Sequence, residues 1–182
     1  MATSISTMTP VGPSRVPFDL RLWINARRLV GLTLEATTEI NEASIDLPGF
    51  NLGNIDHRPR VLLALLTYCY ATGTLASQEV ERRIDTDDAV RYLAANGHPD
   101  SGDLRVFRRR WKHLIKQCLV NLLILAWRAR SIVTADSDEQ RAGSSRDLAE
   151  QAVPAELLRH FVSEADQRIY QAVQLDSMDL DF

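Results

Sequence analysis

Leu104, Phe107, Trp111, Leu114, Cys118 and Leu122 recur every three or four residues, the spacing that keeps a row of side chains on one face of an α-helix. The row predicts one long helix from about Ser101 to Arg130. An amphipathic helix of that length has to bury its stripe against other elements, so the rest of the chain must supply helices or a sheet to cover it.

The other apolar repeats are helical too. Asp19 reads as the cap of a helix with Leu22, Trp23, Ala26, Leu29 and Val30 on one face, ended by Gly31. Pro59 suits the first turn of a helix because it lacks the N–H that would go unpaired there, and Val61 to Tyr70 continues as a nearly all-apolar core helix stopped by Gly73. Ser77 is positioned to cap a short helix through Arg83, and Asp85 or Thr86 another from Asp87 to Ala95. Pro154 opens a last amphipathic helix carrying Leu157, Leu158, Phe161, Ala165, Ile169 and Val173. No alternating stretch is long enough to argue for a sheet. The expected fold is therefore all-α: a compact multi-helix domain over 17–130 with helix-turn-helix-like character, and a separate C-terminal helix with an acidic tail over 154–182. Residues 1–16, rich in Ser, Thr and Pro, read as a tail, Ser44 to Asn54 as a loop, and 131–153 as a linker.

Composition narrows the function classes. With 182 residues and 45% hydrophobic content the chain suits one modest core. The N-terminus lacks the basic-then-apolar pattern of a secretory signal, and the runs Val61 to Tyr70 and Cys118 to Trp127 are about half the roughly 20 residues that a bilayer crossing needs. A cytoplasmic protein without membrane attachment is the expectation. Cys69 and Cys118 lie in apolar stretches with no CxxC or paired-His spacing, as buried thiols do, and His57, His98, His113 and His160 are scattered without ligand spacing. Neither a phosphate-binding glycine motif nor a G-x-S-x-G elbow is present, so no cofactor and no small-molecule substrate is expected.

The formal net charge of -3 hides an asymmetry: 1–57 carries 4 basic and 6 acidic side chains, 58–130 carries 13 and 7, and 131–182 carries 4 and 11. Within the basic middle, Arg105, Arg108, Arg109, Lys112 and Lys116 fall in one sector of the long helix at about 100° per residue, roughly 130° from the apolar stripe. Such a ridge of like charges repels itself and is usually relieved by a partner, and a duplex presents one phosphate charge per ~1.7 Å of axis. The competing reading is a solvated face, or one that pairs with the chain's own acidic C-terminus.

The segment from Arg58 to Arg110 contains, in order, Pro59 and Arg60, Tyr70 and Gly73, Ser77, Val80-Glu81-Arg82-Arg83, Tyr92-Leu93, Pro99-Asp100 and Phe107-Arg108-Arg109. This series resembles the N-terminal domain of bacterial insertion-sequence transposases of the InsH type, over about a third of the chain. The resemblance implies a DNA-binding role and adds Arg82 and Arg83 to the candidate contacts. In that family a strand with the first catalytic Asp follows; here Val133-Thr134-Ala135-Asp136-Ser137-Asp138 stands in its place, with Asp136 as an eroded remnant. Two-metal strand cleavage needs three carboxylates, and no trio follows Asp136, so a module that binds transposon-end DNA without catalysis is expected, a truncated or degenerate relative of the enzymes. The alternative is a helical interaction module, a homo-oligomer or a partner of an intact transposase, motivated by the run around Leu122, Leu123, Leu125 and Trp127, which is apolar on nearly every side.

Overall fold

A buried stripe on a long helix must be covered, and the structure shows by what. The computed structural model describes residues 16–40, 59–136 and 153–178, with 131–136 as backbone alone. Every regular element among these is helical: a 3-10 turn at Leu20–Leu22, then α1 (Ala26–Thr38), α2 (Pro59–Ala71), α3 (Ser77–Thr86), α4 (Asp88–Leu93), α5 (Ser101–Asp136) and α6 (Ala155–Met178). The sequence-expected tail at 1–15, the loop at 44–54 and most of the linker lie outside the described residues.

The helix α5 is the central strut and packs against α1, α2, α3 and α6. Leu104, Phe107, Trp111, Leu114, Cys118 and Leu122 are all buried, as their spacing required. The element runs on to Asp136, past the expected end at Arg130, so the residues from Val133 to Asp136 are helical where the transposase resemblance implied a strand. It is not straight. Trp111 has φ -113° and ψ 24°, a kink that separates Arg105, Arg108 and Arg109 from Lys112 and Lys116.

Against α5 lies α2, whose residues Leu62 to Ala71 are buried without a break. Its end is built by Gly73 at φ +80°: Thr74 N–H donates to the Cys69 carbonyl at 2.8 Å and Gly73 N–H to that of Tyr70 at 3.3 Å, the paired bonds of a left-handed helix stop. A Cβ at Gly73 would run into the Phe18 ring, and the positive φ strains any side chain there, so glycine suits the position.

Three sequence expectations change at the helix ends. Asp19 caps the 3-10 turn, accepting from Arg21 N–H at 2.8 Å, while α1 starts later, at Asn25, whose side chain accepts from Arg28 N–H at 2.9 Å. Gly31 does not end α1, because Leu29, Thr33, Ala36 and Thr37 continue the buried face beyond it. And α4 stops at Leu93, before the left-handed pair Ala95 and Asn96. Val16, placed in the tail by sequence, is a core residue.

The C-terminal helix, expected as separate, belongs to the same core. Leu157, Phe161, Ala165, Ile169 and Ala172 are buried against α5, whereas Leu158 and Val173 face outward. On the same buried face Arg168 is 1% exposed. It donates to the carbonyls of Tyr70 at 2.7 Å, Ala71 at 3.2 Å and Pro17 at 2.7 Å, and pairs with Glu164 at 2.8 Å. Carbonyls at the end of α2 have no intrahelical partner and carry the negative end of the helix dipole, so this guanidinium caps α2 and ties α6 and the N-terminal segment to it.

Arg168→Ala is expected to remove the guanidinium from those carbonyls and from Glu164, leaving the Tyr70 carbonyl only its bond from Gly73 N–H, and to lower stability by about 3–5 kcal/mol. Denaturant titration of the two proteins measures it, and a loss below about 1 kcal/mol would contradict the capping role.

A second expectation concerns acid. Burial alone would raise the Asp87 carboxyl, but bonds from Arg83 and from the Val90 and Ala89 amides outweigh it and hold the group below its ordinary value. A depressed folded value means that stability from Asp87 is complete above the unfolded value near pH ~4 and is lost as pH falls through the folded one. Asp87→Asn should therefore lower stability at neutral pH and flatten its decline below roughly pH 4. Denaturant midpoints across that range check this, and equal slopes for both proteins would refute it.

Candidate functional site

The five cations of the expected ridge do not share one fate. Arg108 is 4% exposed and lies inside the protein, where it forms an ion pair with Asp176 at the end of α6. It also donates to the Tyr70 hydroxyl at 3.1 Å and to Ser77 Oγ at 3.3 Å. The expectation that Arg108 faces solvent is thus corrected: its position, one helical turn after Leu104, puts it at the edge of the apolar stripe and under α6.

Around this ion pair four elements meet. Asp176 Oδ1 accepts from Ser77 N–H at 2.8 Å and Oδ2 from Ser77 Oγ at 2.7 Å. Ala76, at the N-cap position of α3, brings no side-chain bond, so the cap is supplied from 99 residues away by Asp176. Ser77, expected to cap α3 itself, instead occupies the first helical position with its hydroxyl turned to the carboxylate. Burial works against the Arg108 charge, yet Tyr70 and Asp176 hold the guanidinium above its ordinary value. Burial pushes the Tyr70 hydroxyl up to about 12, so it stays protonated.

Lys116 is partly exposed and paired with Asp166 of α6 at 2.7 Å. Both cases bear out the competing reading, that part of the basic row answers the acidic C-terminal segment. Arg105, Arg109 and Lys112 remain. They form no ion pair with a described carboxylate, and with Arg108, Val173, Asp176 and Ser177 they line a cleft of about 170 Å³ between α5 and the last turn of α6. Arg109 and Lys112 are exposed and Arg105 half-buried. Lys112, one residue past the kink at Trp111, still lines this cleft, and Arg110 lies over the Trp111 ring, 5.7 Å from its centre.

The two arginines added by the resemblance also divide. Arg82 is exposed and paired with Glu79 at 2.6 Å. Arg83 is turned inward: it bonds the Thr72 hydroxyl at 3.1 Å, the Thr74 hydroxyl and the Asp87 carboxylate. That residue links the end of α2 to the cap of α4, where Asp87 accepts from Ala89 N–H at 2.9 Å. It is a structural cation, contrary to its place among the DNA contacts.

Other candidates hold less chemistry. Among the described residues no group of three His, Cys, Asp or Glu side chains could hold a metal ion. Burial pushes the Cys69 and Cys118 thiols up to about 12, as for inert core residues. His98 lies against Asp85 at 3.2 Å and the His113 ring is tilted against that of Trp111 with centres 6.1 Å apart, while His57 falls outside the described residues. The side chain of Asp136 is likewise outside them. The helices α1 and α4 border a groove of about 830 Å³ with Val30, Leu34, Asp87 and Tyr92 among its walls.

The apolar end of α5, which argued for a partner surface, is covered from within. Leu122 and Leu123 are fully buried, and Leu125 and Trp127 pack on the core. No described helix is long and apolar enough to cross a membrane.

Of the residues that tie this region together, Ser77 and Tyr70 stood out in the sequence, Ser77 as a helix cap and both in the family-like series, whereas Asp176 and Arg168 did not. The signal for two of them was present: Phe161, Ala165, Arg168, Ala172 and Asp176 follow one another at three or four residues, which places Arg168 and Asp176 on the buried face of α6. No family model, curated protein or solved structure matches the chain, and its function has to be argued from the charged face of α5 and the resemblance carried by 58–110.

Proposed function

We propose that this protein is a DNA-binding module of the transposase N-terminal type, cytoplasmic, which holds duplex DNA by its phosphates and does not cut it. The observation that carries this reading is the set of Arg105, Arg109 and Lys112 around one cleft on α5, three cations with no described carboxylate partner. Unrelieved like charges this close repel one another, and phosphate oxygens are the ligand that relieves them best, through guanidinium forks and a point-charge ammonium. The exposed Arg82 on α3 extends the same chemistry. The resemblance to InsH-type domains supplies the substrate class, transposon-end duplex. The proposed role is to occupy ends or to compete with an intact enzyme for them.

A second reading, a helical interaction module, is favoured by the groove between α1 and α4, whose walls include the exposed apolar residues Leu34 and Tyr92. Tyr92→Ser would impair that function and leave duplex binding unchanged.

If three phosphates are contacted, the slope of log K against log salt should be about -2.7, at ~0.9 per phosphate. Replacing Arg105, Arg109 and Lys112 with Ala should bring it close to about zero by the same rule and weaken binding to all sequences alike, because phosphate contacts position without reading bases. Fluorescence anisotropy across a salt series, with helicity followed by circular dichroism, is the measurement. A folded triple variant with unchanged affinity and slope would make the face a solvated one.

A further inference from the structure

Arg108 and the start of α3 form an arrangement that is chemically an anion site, and the protein fills it with its own carboxylate. A guanidinium fork, a main-chain N–H at a helix N-terminus and a serine hydroxyl are the donors that phosphate oxygens take in proteins. Here all three converge on Asp176: Arg108, Ser77 N–H at 2.8 Å and Ser77 Oγ at 2.7 Å. The buried Tyr70 hydroxyl accepts from the same guanidinium at 3.1 Å. The cleft beside this cluster is lined by Arg105, Arg109 and Lys112, and its one acidic wall is Asp176.

The carboxylate is held by a short stretch of helix. Around it Gln174, Leu175, Ser177 and Met178 are exposed, and Ala172 is the nearest buried residue on the N-terminal side. The docking of this last turn therefore depends on Asp176 itself, and its undocking would uncover Arg108 while removing the negative charge that faces the three cleft cations.

We propose that Asp176 is an internal mimic of a phosphate group, seated in a phosphate subsite made by Arg108, Ser77 and the cleft cations, so that the last turn of α6 restrains the binding of phosphate ligands to this face. The proposal rests on the duplex-binding reading for the source of the phosphate, and on the geometry alone for the subsite. A duplex phosphate and a free phosphate share the chemistry, and the two are separated by experiment.

The test uses full-length wild type, Asp176→Ala, and Asp176→Ala with Arg108→Gln, followed by circular dichroism during unfolding in sodium chloride and in sodium phosphate of equal ionic strength. Inorganic phosphate should restore the unfolding midpoint of Asp176→Ala well beyond its general effect on the wild type, and should not restore the double variant, which lacks the guanidinium. A variant that fails to fold in chloride reads the same way, since phosphate must then recover its helical signal. Binding to a duplex is measured alongside. Asp176→Ala should bind several-fold more tightly than wild type, with a salt slope steeper by about 0.9, one further phosphate. Phosphate rescue with no duplex binding by any of the proteins supports the subsite with free phosphate as its ligand and overturns the duplex reading. Absence of phosphate-specific rescue in Asp176→Ala overturns the subsite, whatever the duplex affinity does.

Discussion

A guanidinium taken out of water needs a counter-charge and a partner for each of its donors, or the cost exceeds what a small domain can tolerate. Arg108 has its counter-charge in Asp176 and further acceptors in Ser77 and Tyr70, and these contacts join α2, α3, α5 and α6. Asp176 reaches the cluster only if α6 lies along α5 for its full length, and α3 receives its N-terminal cap only when α6 is there. Arg168 does the corresponding work two turns earlier, joining α6 to the end of α2 and to Pro17. Apolar contact supplies most of the driving force, being non-directional. These two arginines set the register in which α6 docks.

The same two contacts divide the positive charge of the middle segment between structure and surface. Arg83 and Arg108 are consumed inside, Lys116 is answered by Asp166 across a solvent-exposed pair, and Arg105, Arg109 and Lys112 are left around one cleft. An exposed pair such as Lys116 with Asp166 contributes little to stability and can be exchanged for another anion. The buried pair cannot be exchanged without local opening. The acidic C-terminal segment is thus both a structural element and the counter-charge to the helix whose cations it faces.

Helical class was legible in the sequence because apolar spacing of three and four residues runs through every long segment, and the α5 stripe from Leu104 to Leu122 is buried as read. The stop at Gly73 was legible because only glycine adopts its conformation cheaply. Helix ends elsewhere were less so: a lone Gly31 costs α1 too little to end it when Thr33, Ala36 and Thr37 continue the buried face. The fate of the cations was misread for a definite reason. At about 100° per residue Arg108 lies only about 40° from Leu104, which places it beside the stripe, but grouping by charge set it with Arg105 and Arg109. Long-range capping of α3 by Asp176 had no local signal, since a cap 99 residues away leaves no trace in the segment it caps. The kink at Trp111 has no Gly or Pro to announce it.

The coupling between Arg108 and Asp176 is the quantity on which these relations turn. Denaturant titrations of wild type, Arg108→Gln, Asp176→Asn and the double variant form a thermodynamic cycle that isolates it. A buried, hydrogen-bonded ion pair predicts that the single losses do not add, with a coupling of about 1–3 kcal/mol. Single losses that add to within about 0.5 kcal/mol would place Arg108 in solvent with its neighbours on the ridge and contradict the packing of α6 described here.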